Sequence, residues 1–459
     1  MATEKTKLMT KVARFEITSL IGEDKRLMNF LLNELRYDSW KMGNQLLETF
    51  YEESRFGKSV LLSADSYTQK SLVGKIGHEM RPKFPKFNPS GLETIIQKVS
   101  AEWKTSQKRF YKGESRIISY RSADSPLYVR NNQIKLEKDG KQHIIKVRLL
   151  SNEYAKELEQ GFELTVGKEK KKIAYQKHRE GQWLNFEVIV KGGHLGSVFE
   201  RATNGEYKIG TSQFLYNERK KKWFFNLTYS FAPEKTEVNK DVIMGIDLGV
   251  TNPATIAVSN DDWYYQFVGD GEFISSFKRQ VEARKRRLQR SRKWAGKGSV
   301  GHGTKTRIKP LEALRETISN FKKTENHKYS KYIVDEAVRL GVGVIQMEDL
   351  SGISEMDTFL KDWTFYDLQQ KVKYKAEEKG IEVITIKPNY TSQRCHKCGY
   401  IDKSNRETQE KFKCTTCGYE CNADVNAARN IAVKDIEKVI EKQLKAQEKA
   451  TKHQIEYSV

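Results

Sequence analysis

Ile243-Met244-Gly245-Ile246-Asp247-Leu248-Gly249-Val250-Thr251-Asn252 is an apolar run that ends in a carboxylate flanked by glycines. Its first half, 243–248, has the composition of a buried strand. The glycines let a ligand or a metal approach the backbone closely. Two more strands are predicted directly after it, at 254–258 and 264–268. Helical patterns over 272–293, 311–340 and 363–379 then interleave with strands at 341–347 and 381–386, and a last helix begins near Asn422. Three consecutive strands followed by helices alternating with two further strands make an α/β layout.

Upstream the pattern differs. Residues 11–18 (KVARFEIT) alternate and read as a strand. Leu27, Leu31, Leu35, Met42 and Leu46 recur at helical spacing, and Leu92, Ile95, Ile96, Val99 and Trp103 mark a second helix behind a turn and cap at 88–91. The stretch around Pro82 and Pro85 interrupts this helical region. From about 113 to 240 strands dominate, as at 143–149, 185–190 and 222–231, separated by turn signals such as Asp139-Gly140 and Asn204-Gly205. A helix is expected near 153–159. This half reads as a β-barrel or sandwich completed by the first strand, with the helices inserted into it, and a polar linker near 233–240.

The chain has 459 residues, 82 of them Lys or Arg against 60 Asp or Glu, a net charge of +22. An ordinary metabolic enzyme is less basic than this, and the balance suits a protein that holds a long polyanion. No stretch approaches the roughly 18 apolar residues of a membrane span. Residues 1–20 lack the apolar core of a signal peptide, so a cytoplasmic location is expected. Thirteen Lys or Arg and a single acid, Glu282, fall within 278–309, around the Gly-rich stretch 294–303. Phosphate contacts account for such an excess, and a disordered basic tether is the alternative.

Four motifs carry chemistry. Asp247 ends the first strand of the α/β half. The same string also resembles the first phosphate motif of actin-like and heat-shock-type ATPases, but the nearest double glycine, Gly192-Gly193, lies upstream in the wrong domain. Residues 344–350 (VIQMEDL) end a second strand in adjacent acids. Neighbours on a strand point to opposite faces, so only one of the two can face the site; Glu348 is taken for that role, with Asp349 as a cap of the following segment. Cys395-x2-Cys398 and Cys414-x2-Cys417, each pair followed by glycine, have the spacing of a closed, structural Zn²⁺ site. His396 is a weak alternative ligand and Cys421 lies outside the pattern. Asp424, in 422–430 (NADVNAARN), stands at a helix start, where an ordinary capping Asp would look the same. Three converging carboxylates need cations, and hard oxygen donors select Mg²⁺ or Mn²⁺. Two such ions about 4 Å apart hydrolyse phosphodiesters, with Asp247 bridging and Glu348 and Asp424 each holding one side. The order of the strands and carboxylates is that of a ribonuclease-H-like nuclease.

Together these residues resemble the miniature type V-F CRISPR-associated effectors, RNA-guided DNA nucleases with a RuvC-like domain. The resemblance is strongest from about 241 to 433, and the N-terminal half matches in layout more than in residues. It rests on 245–250, Asn326-His327-Lys328-Tyr329-Ser330-Lys331-Tyr332-Ile333, 346–350, Asp362-Trp363-Thr364-Phe365-Tyr366-Asp367-Leu368-Gln369-Gln370, Tyr390-Thr391-Ser392-Gln393-Arg394-Cys395 and 422–431. It implies a multidomain α+β protein: a wedge-type β-barrel domain (1–18 and 113–238), an inserted helical recognition domain (19–112), a RuvC domain (239–389 and 422–459) and an embedded zinc-binding module that loads the target (390–421). It further implies a prokaryotic source, a guide RNA, a double-stranded DNA target beside a short flanking motif, cutting of both strands by one RuvC site, and a homodimer on one guide RNA. Arg394 corresponds to an arginine that supports the active site. The tail at 434–459 and Cys421 depart from the compact members. Two alternatives stay open at this point, a transposon-encoded TnpB-type nuclease and a protein that binds RNA or DNA without cutting it.

Overall fold

The computed structural model describes residues 8–23, 25–57, 62, 71–122, 125–166, 169–173, 183–233, 236–249, 251–293, 304–349, 365–408 and 410–456. The quoted Val250, Leu350 and 362–364, and the Gly-rich stretch 294–303, lie outside them. The chain divides into two compact units, Met1–Ala232 and Pro233–Val459.

The first unit is a largely antiparallel sheet with helices. β1 (Met9–Leu20) buries Ala13, Phe15 and Ile17 on one face, as its alternation demands. α1 (Lys25–Phe56) buries Leu27, Leu31, Leu35, Met42 and Leu46. α2 (Leu72–Lys83) and α3 (Pro89–Tyr111) follow, the latter capped by Asn88, whose Oδ1 accepts from the Gly91 amide at 2.7 Å. The remaining elements are β2 (Leu127–Val129), β3 (Ile134–Asp139), β4 (Gln142–Val147), α4 (Asn152–Gln160), β5 (Phe162–Val166), β6 (Glu169–Ile173), β7 (Leu184–Ile189), α5 (Gly192–Thr203), β8 (Lys208–Ile209), β9 (Ser212–Asn217) and β10 (Lys222–Phe231). The sheet runs β2-β9-β10-β1-β7-β4-β3, with β8 also on β10. The first strand thus completes the sheet between β10 and β7. No pairing joins the two ends of this path among the described residues. Helix and sheet residues share one buried cluster, from Leu31 and Ile95 to Phe186 and Phe225. α2 and α5 have no counterpart in the sequence reading. α2 runs through Pro82, which sits in its last turn and so removes one donor without breaking the turns before it.

The second unit is built on a five-stranded sheet in the order β13-β12-β11-β14-β15. β11 (Asn239–Asp247), β12 (Ala254–Val258) and β13 (Asp261–Val268) form an antiparallel meander. β14 (Val342–Glu348) and β15 (Glu382–Ile386) add in parallel on the other side of β11. α6 (Gly271–Lys293), α7 (Thr304–Arg339) and α8 (Phe365–Glu378) lie between β13 and β15 in sequence. Tyr329, Ile333 and Ala337 of α7 and Leu368 and Val372 of α8 join one core with Met244, Ile246, Ile256 and Ile345 of the sheet. A short hairpin, β16 (Lys411–Lys413) and β17 (Glu420–Asn422), precedes α9 (Ala423–Ile431) and α10 (Ile436–Glu456).

α9 covers the opposite face of the sheet, and Gly245 explains how closely. A Cβ built there would stand 2.1 Å from the Ala428 carbonyl oxygen and 2.4 Å from the Ala432 amide nitrogen. Only glycine lets the helix lie directly on β11. Among the described residues no helix is long and apolar enough to cross a membrane.

Candidate active site

Strand parity sorts the acids. Gly245 faces α9, so Asp247, two residues on, faces the same side, while Met244 and Ile246 enter the core beneath. In the parallel register Gly245 is opposite Gln346 and Ile246 opposite Met347. Gln346 turns to α9, where its Nε2 donates to the Ile431 and Val433 carbonyls at 3.0 and 3.1 Å. Glu348 shares that face and comes level with Asp247. Asp349 has the opposite parity and is exposed.

Asp424 arrives from above. The cap of α9 is Asn422, whose Oδ1 accepts from the amides of Asp424 and Val425 at 2.9 and 3.3 Å. Asp424 therefore does not cap the helix. Its side chain is 8% exposed. Its Oδ2 would lie 3.3 Å from a Cβ at Gly249, so the glycine after Asp247 leaves room for this carboxylate.

The electrostatics show how crowded the three acids are. Burial first, then Glu348 and Asp424, push the Asp247 carboxyl well above its ordinary range. Burial also raises Glu348 and Asp424. Among the described residues one cation opposes all three: Arg406, whose Nη2 is 3.9 Å from Asp424 Oδ1. When ionised, the three carboxylates exceed the guanidinium in charge, and divalent cations would offset the excess. The donor set is all hard oxygen, which fits Mg²⁺ or Mn²⁺.

The sign of the pH effect follows. A carboxyl whose folded pKa is raised disfavours the fold once it ionises. In metal-free protein the contribution of these three carboxyls to stability is fully present below the ordinary carboxylate range and is lost as pH rises from there through the raised folded values. Melting at neutral pH without metal is expected to be higher for Asp247→Asn than for the parent, by about 2–4 °C for each kcal/mol relieved. Mg²⁺ is expected to raise the parent's melting temperature at neutral pH and much less at acidic pH. A parent insensitive to Mg²⁺ at both would count against a cation site here.

The four thiols of Cys395, Cys398, Cys414 and Cys417 lie within 4.8 Å of one another. Cys395 and Cys417 sulfurs are 3.7 Å apart, and Cys398 and Cys414 sulfurs 3.6 Å. Four Zn–S bonds of about 2.3 Å in a tetrahedron give sulfur separations of about 3.8 Å, so the set fits Zn²⁺. The two knuckles match: Gly399 and Gly418 take φ of +80° and +68°, and their amides donate to the Cys395 and Cys414 carbonyls at 2.9 and 3.0 Å. His396 is not part of the cluster; its Nε2 is 3.7 Å from Asp262 Oδ1. Cys421 is half-buried beside it in the hairpin core with Phe412.

The segment between Pro388 and the first knuckle ties zinc site to carboxylates. The Thr391 hydroxyl donates to Glu348 Oε1 at 2.5 Å. Arg394, 7% exposed, does not face the acids; its guanidinium donates to Asn430 Oδ1 at 2.5 Å and Gln443 Oε1 at 2.8 Å. Asn426 and Asn430, fully buried one turn apart on α9, both donate to the Arg394 carbonyl. Asn430 also donates to the Thr391 carbonyl at 2.8 Å. Arg394 thus locks this segment to α9 and α10 from behind. Arg406, the cation in front, had no signal in the sequence beyond lying between the cysteine pairs.

Comparison with known proteins gives two family matches: the family described as Cas12f1-like, TNB domain, over residues 365–431, and the one described as probable transposase, over 217–354. A CRISPR-associated endodeoxyribonuclease Cas12f1 from Sulfoacidibacillus thermotolerans is 37% identical over 425 residues, 91% of this chain and 95% of that protein. Another from Syntrophomonas palmitatica is 32% identical over 385 residues, 82% of this chain and 72% of that protein. Among solved structures, a Cas12f1–sgRNA–target DNA complex superposes with a TM-score of 0.68 at 19% identity, covering 93% of this chain and 99% of that one.

Proposed function

We propose, from the premise that this chain belongs to the Cas12f1 family of CRISPR-associated endodeoxyribonucleases, that it is an RNA-guided double-stranded DNA endonuclease whose single hydrolytic centre is Asp247, Glu348 and Asp424. The observation that carries this reading is that Asp247 and Glu348 end neighbouring parallel strands level on one face, with Asp424 of α9 packed over that face against Gly249. In this reading the sheet unit is a RuvC domain of ribonuclease-H-like fold and the cysteine hairpin loads the target strand. The first unit is a wedge-type β domain with its helical recognition insertion.

Divalent cations of the Mg²⁺ type, when bound, would activate the attacking water and stabilise the leaving oxygen of the phosphodiester. The chain's own residues do the rest. Asp247 offers oxygens to both sides of the site, and Glu348 and Asp424 each to one. Thr391 orients the Glu348 carboxylate by its hydrogen bond. Arg406 restrains the acids electrostatically and presents positive charge where a phosphate would enter. Cys395, Cys398, Cys414 and Cys417 would hold Zn²⁺, which would fix the two knuckles and the Arg406 between them. Sequence is read by the guide RNA through base pairing, while the +22 protein grips backbone and heteroduplex shape. Two copies on one guide RNA, in a prokaryotic cytoplasm, complete the proposal.

The test is cleavage of a plasmid library carrying a guide-matched target beside randomised flanks, with protein purified together with RNA from its own locus. Depletion of particular flanks only with protein, RNA and Mg²⁺ supports the reading. RNA that co-purifies without any cutting would favour the non-cleaving binder instead. The transposon-associated alternative has the match over 217–354 in its favour, but the Cas12f1 relative aligns over 91% of the chain.

A further inference from the structure

Three aromatic side chains on the active-site face of the sheet are left exposed. β13 is its edge strand. Tyr264 and Val268 turn toward α7: the Tyr264 hydroxyl donates to Glu336 Oε2 at 2.7 Å, and Val268 lies in the core. The alternate residues Trp263, Tyr265 and Phe267 face the other way and are 89%, 43% and 41% exposed. Aromatic rings are the side chains that gain most from burial, and a row of them in solvent marks a binding surface.

The register joins this row to the acids. Phe267 is opposite Thr255, and Thr255 is opposite Asp247; Tyr265 is opposite Ala257, and Ala257 is opposite Gly245. Tyr265 and Phe267 therefore share the face of Asp247, with Phe267 two strand spacings, about 10 Å, from it, and Trp263 follows beyond the register shift between Ala257 and Val258. The Tyr265 and Phe267 rings stand 5.7 Å apart and meet edge to face at 73°, so each offers its own face to a separate base. A cation, Arg429, borders Tyr265, and a second, Lys397, lies farther out beside Tyr419. The Arg429 guanidinium stands 5.9 Å from the Tyr265 ring centre and donates to the Tyr419 hydroxyl at 2.7 Å, and Lys397 Nζ lies 5.9 Å from the Tyr419 ring. Asp261 and Asp262 at the outer end are engaged locally: Asp261 Oδ1 accepts from the Trp263 and Tyr264 amides, and Asp262 faces His396.

We propose that Trp263, Tyr265 and Phe267 form a stacking platform for unpaired bases that guides single-stranded DNA along β13 into the carboxylate centre. The occupant is single-stranded because bases within a duplex are covered on both faces by their neighbours. Rings beside guanidinium and ammonium groups match flat bases joined by phosphates, the combination that non-specific single-strand binders use. The platform rests on the nuclease reading above and deepens it.

The test uses the full chain with guide RNA and target, carrying Asp247→Ala so that DNA is held and not cut. The probe is an oligothymidylate with one 2-aminopurine, whose fluorescence reports stacking. Replacing Trp263, Tyr265 and Phe267 together by Ala is expected to weaken binding roughly tenfold or more and to abolish the fluorescence change. Trp263→Phe is expected to retain most of both. Melting temperature and guide-RNA affinity are expected to stay unchanged, since the rings are exposed. In otherwise active protein the triple variant is expected to cut matched DNA at least several-fold more slowly. Unchanged binding and fluorescence in the triple variant, with normal cutting by the parent, would overturn the platform and leave the nuclease reading intact. A parent that never cuts would count against the nuclease reading, while the stacking signal is read independently of cutting. A change of oligomeric mass in the triple variant with DNA binding unaltered would make this face a contact between copies and overturn the platform.

Discussion

Asp247→Ala is expected to lower DNA cutting by about a thousandfold or more while leaving guide-RNA binding unchanged. Each 1.36 kcal/mol of lost transition-state stabilisation is a factor of ten, and a metal site supplies several kcal/mol to phosphoryl chemistry. Asp247 is the acid on which both others converge, so its loss uncouples the set. It lies at the end of a strand whose interior neighbours, Met244 and Ile246, stay buried, so the fold survives the change. Single-turnover cleavage of a matched duplex, with filter binding of the guide RNA alongside, checks this. Equal cutting by parent and variant would remove the carboxylates from the mechanism.

Cys414→Ser is expected to act through the fold. Cys414 is 1% exposed and its sulfur is 3.6 Å from that of Cys398. In zinc-finger peptides a structural Zn²⁺ contributes about 10–16 kcal/mol to folding. The knuckle hairpin is too small to hold itself together without it. Thr391 and Arg406 reach the carboxylates from this segment, so cutting is expected to fall along with thermal stability. Elemental analysis is expected to find one zinc per chain in the parent and little in the variant. A zinc-free parent, with stability and cutting undiminished in the variant, would end the zinc assignment.

Much of this was legible in the residues. Strands 254–258 and 222–231 match β12 and β10, because short apolar runs bounded by Gly, Pro and Asn leave few alternatives. Parity left one of Glu348 and Asp349 for the site without saying which; in the structure Glu348 comes level with Asp247 and Asp349 is exposed. The paired knuckles followed from cysteine spacing. Asp424 was read with a capping role open to it; Asn422, two residues earlier, takes that role. What could not be read is what tertiary packing decides. Arg406 faces three acids only because the hairpin folds back over α9, and no spacing in 403–408 announces it. Arg394 and Asn430 form their bond across 36 positions of chain. α2 was hidden by Pro82, a helix breaker everywhere except near an end.

The three acids also set a timetable. Asp247 and Asp424 are 177 positions apart (424 − 247), and α9 is the element that brings the last acid onto β11. Ribosomes add about 5–20 residues per second, so roughly ten seconds or more separate the two during synthesis. From the point where the basic stretch 278–309 has been made, the nascent chain can meet RNA, yet it lacks Asp424. A nuclease assembled in this order stays harmless to nearby nucleic acid until translation has passed its zinc hairpin.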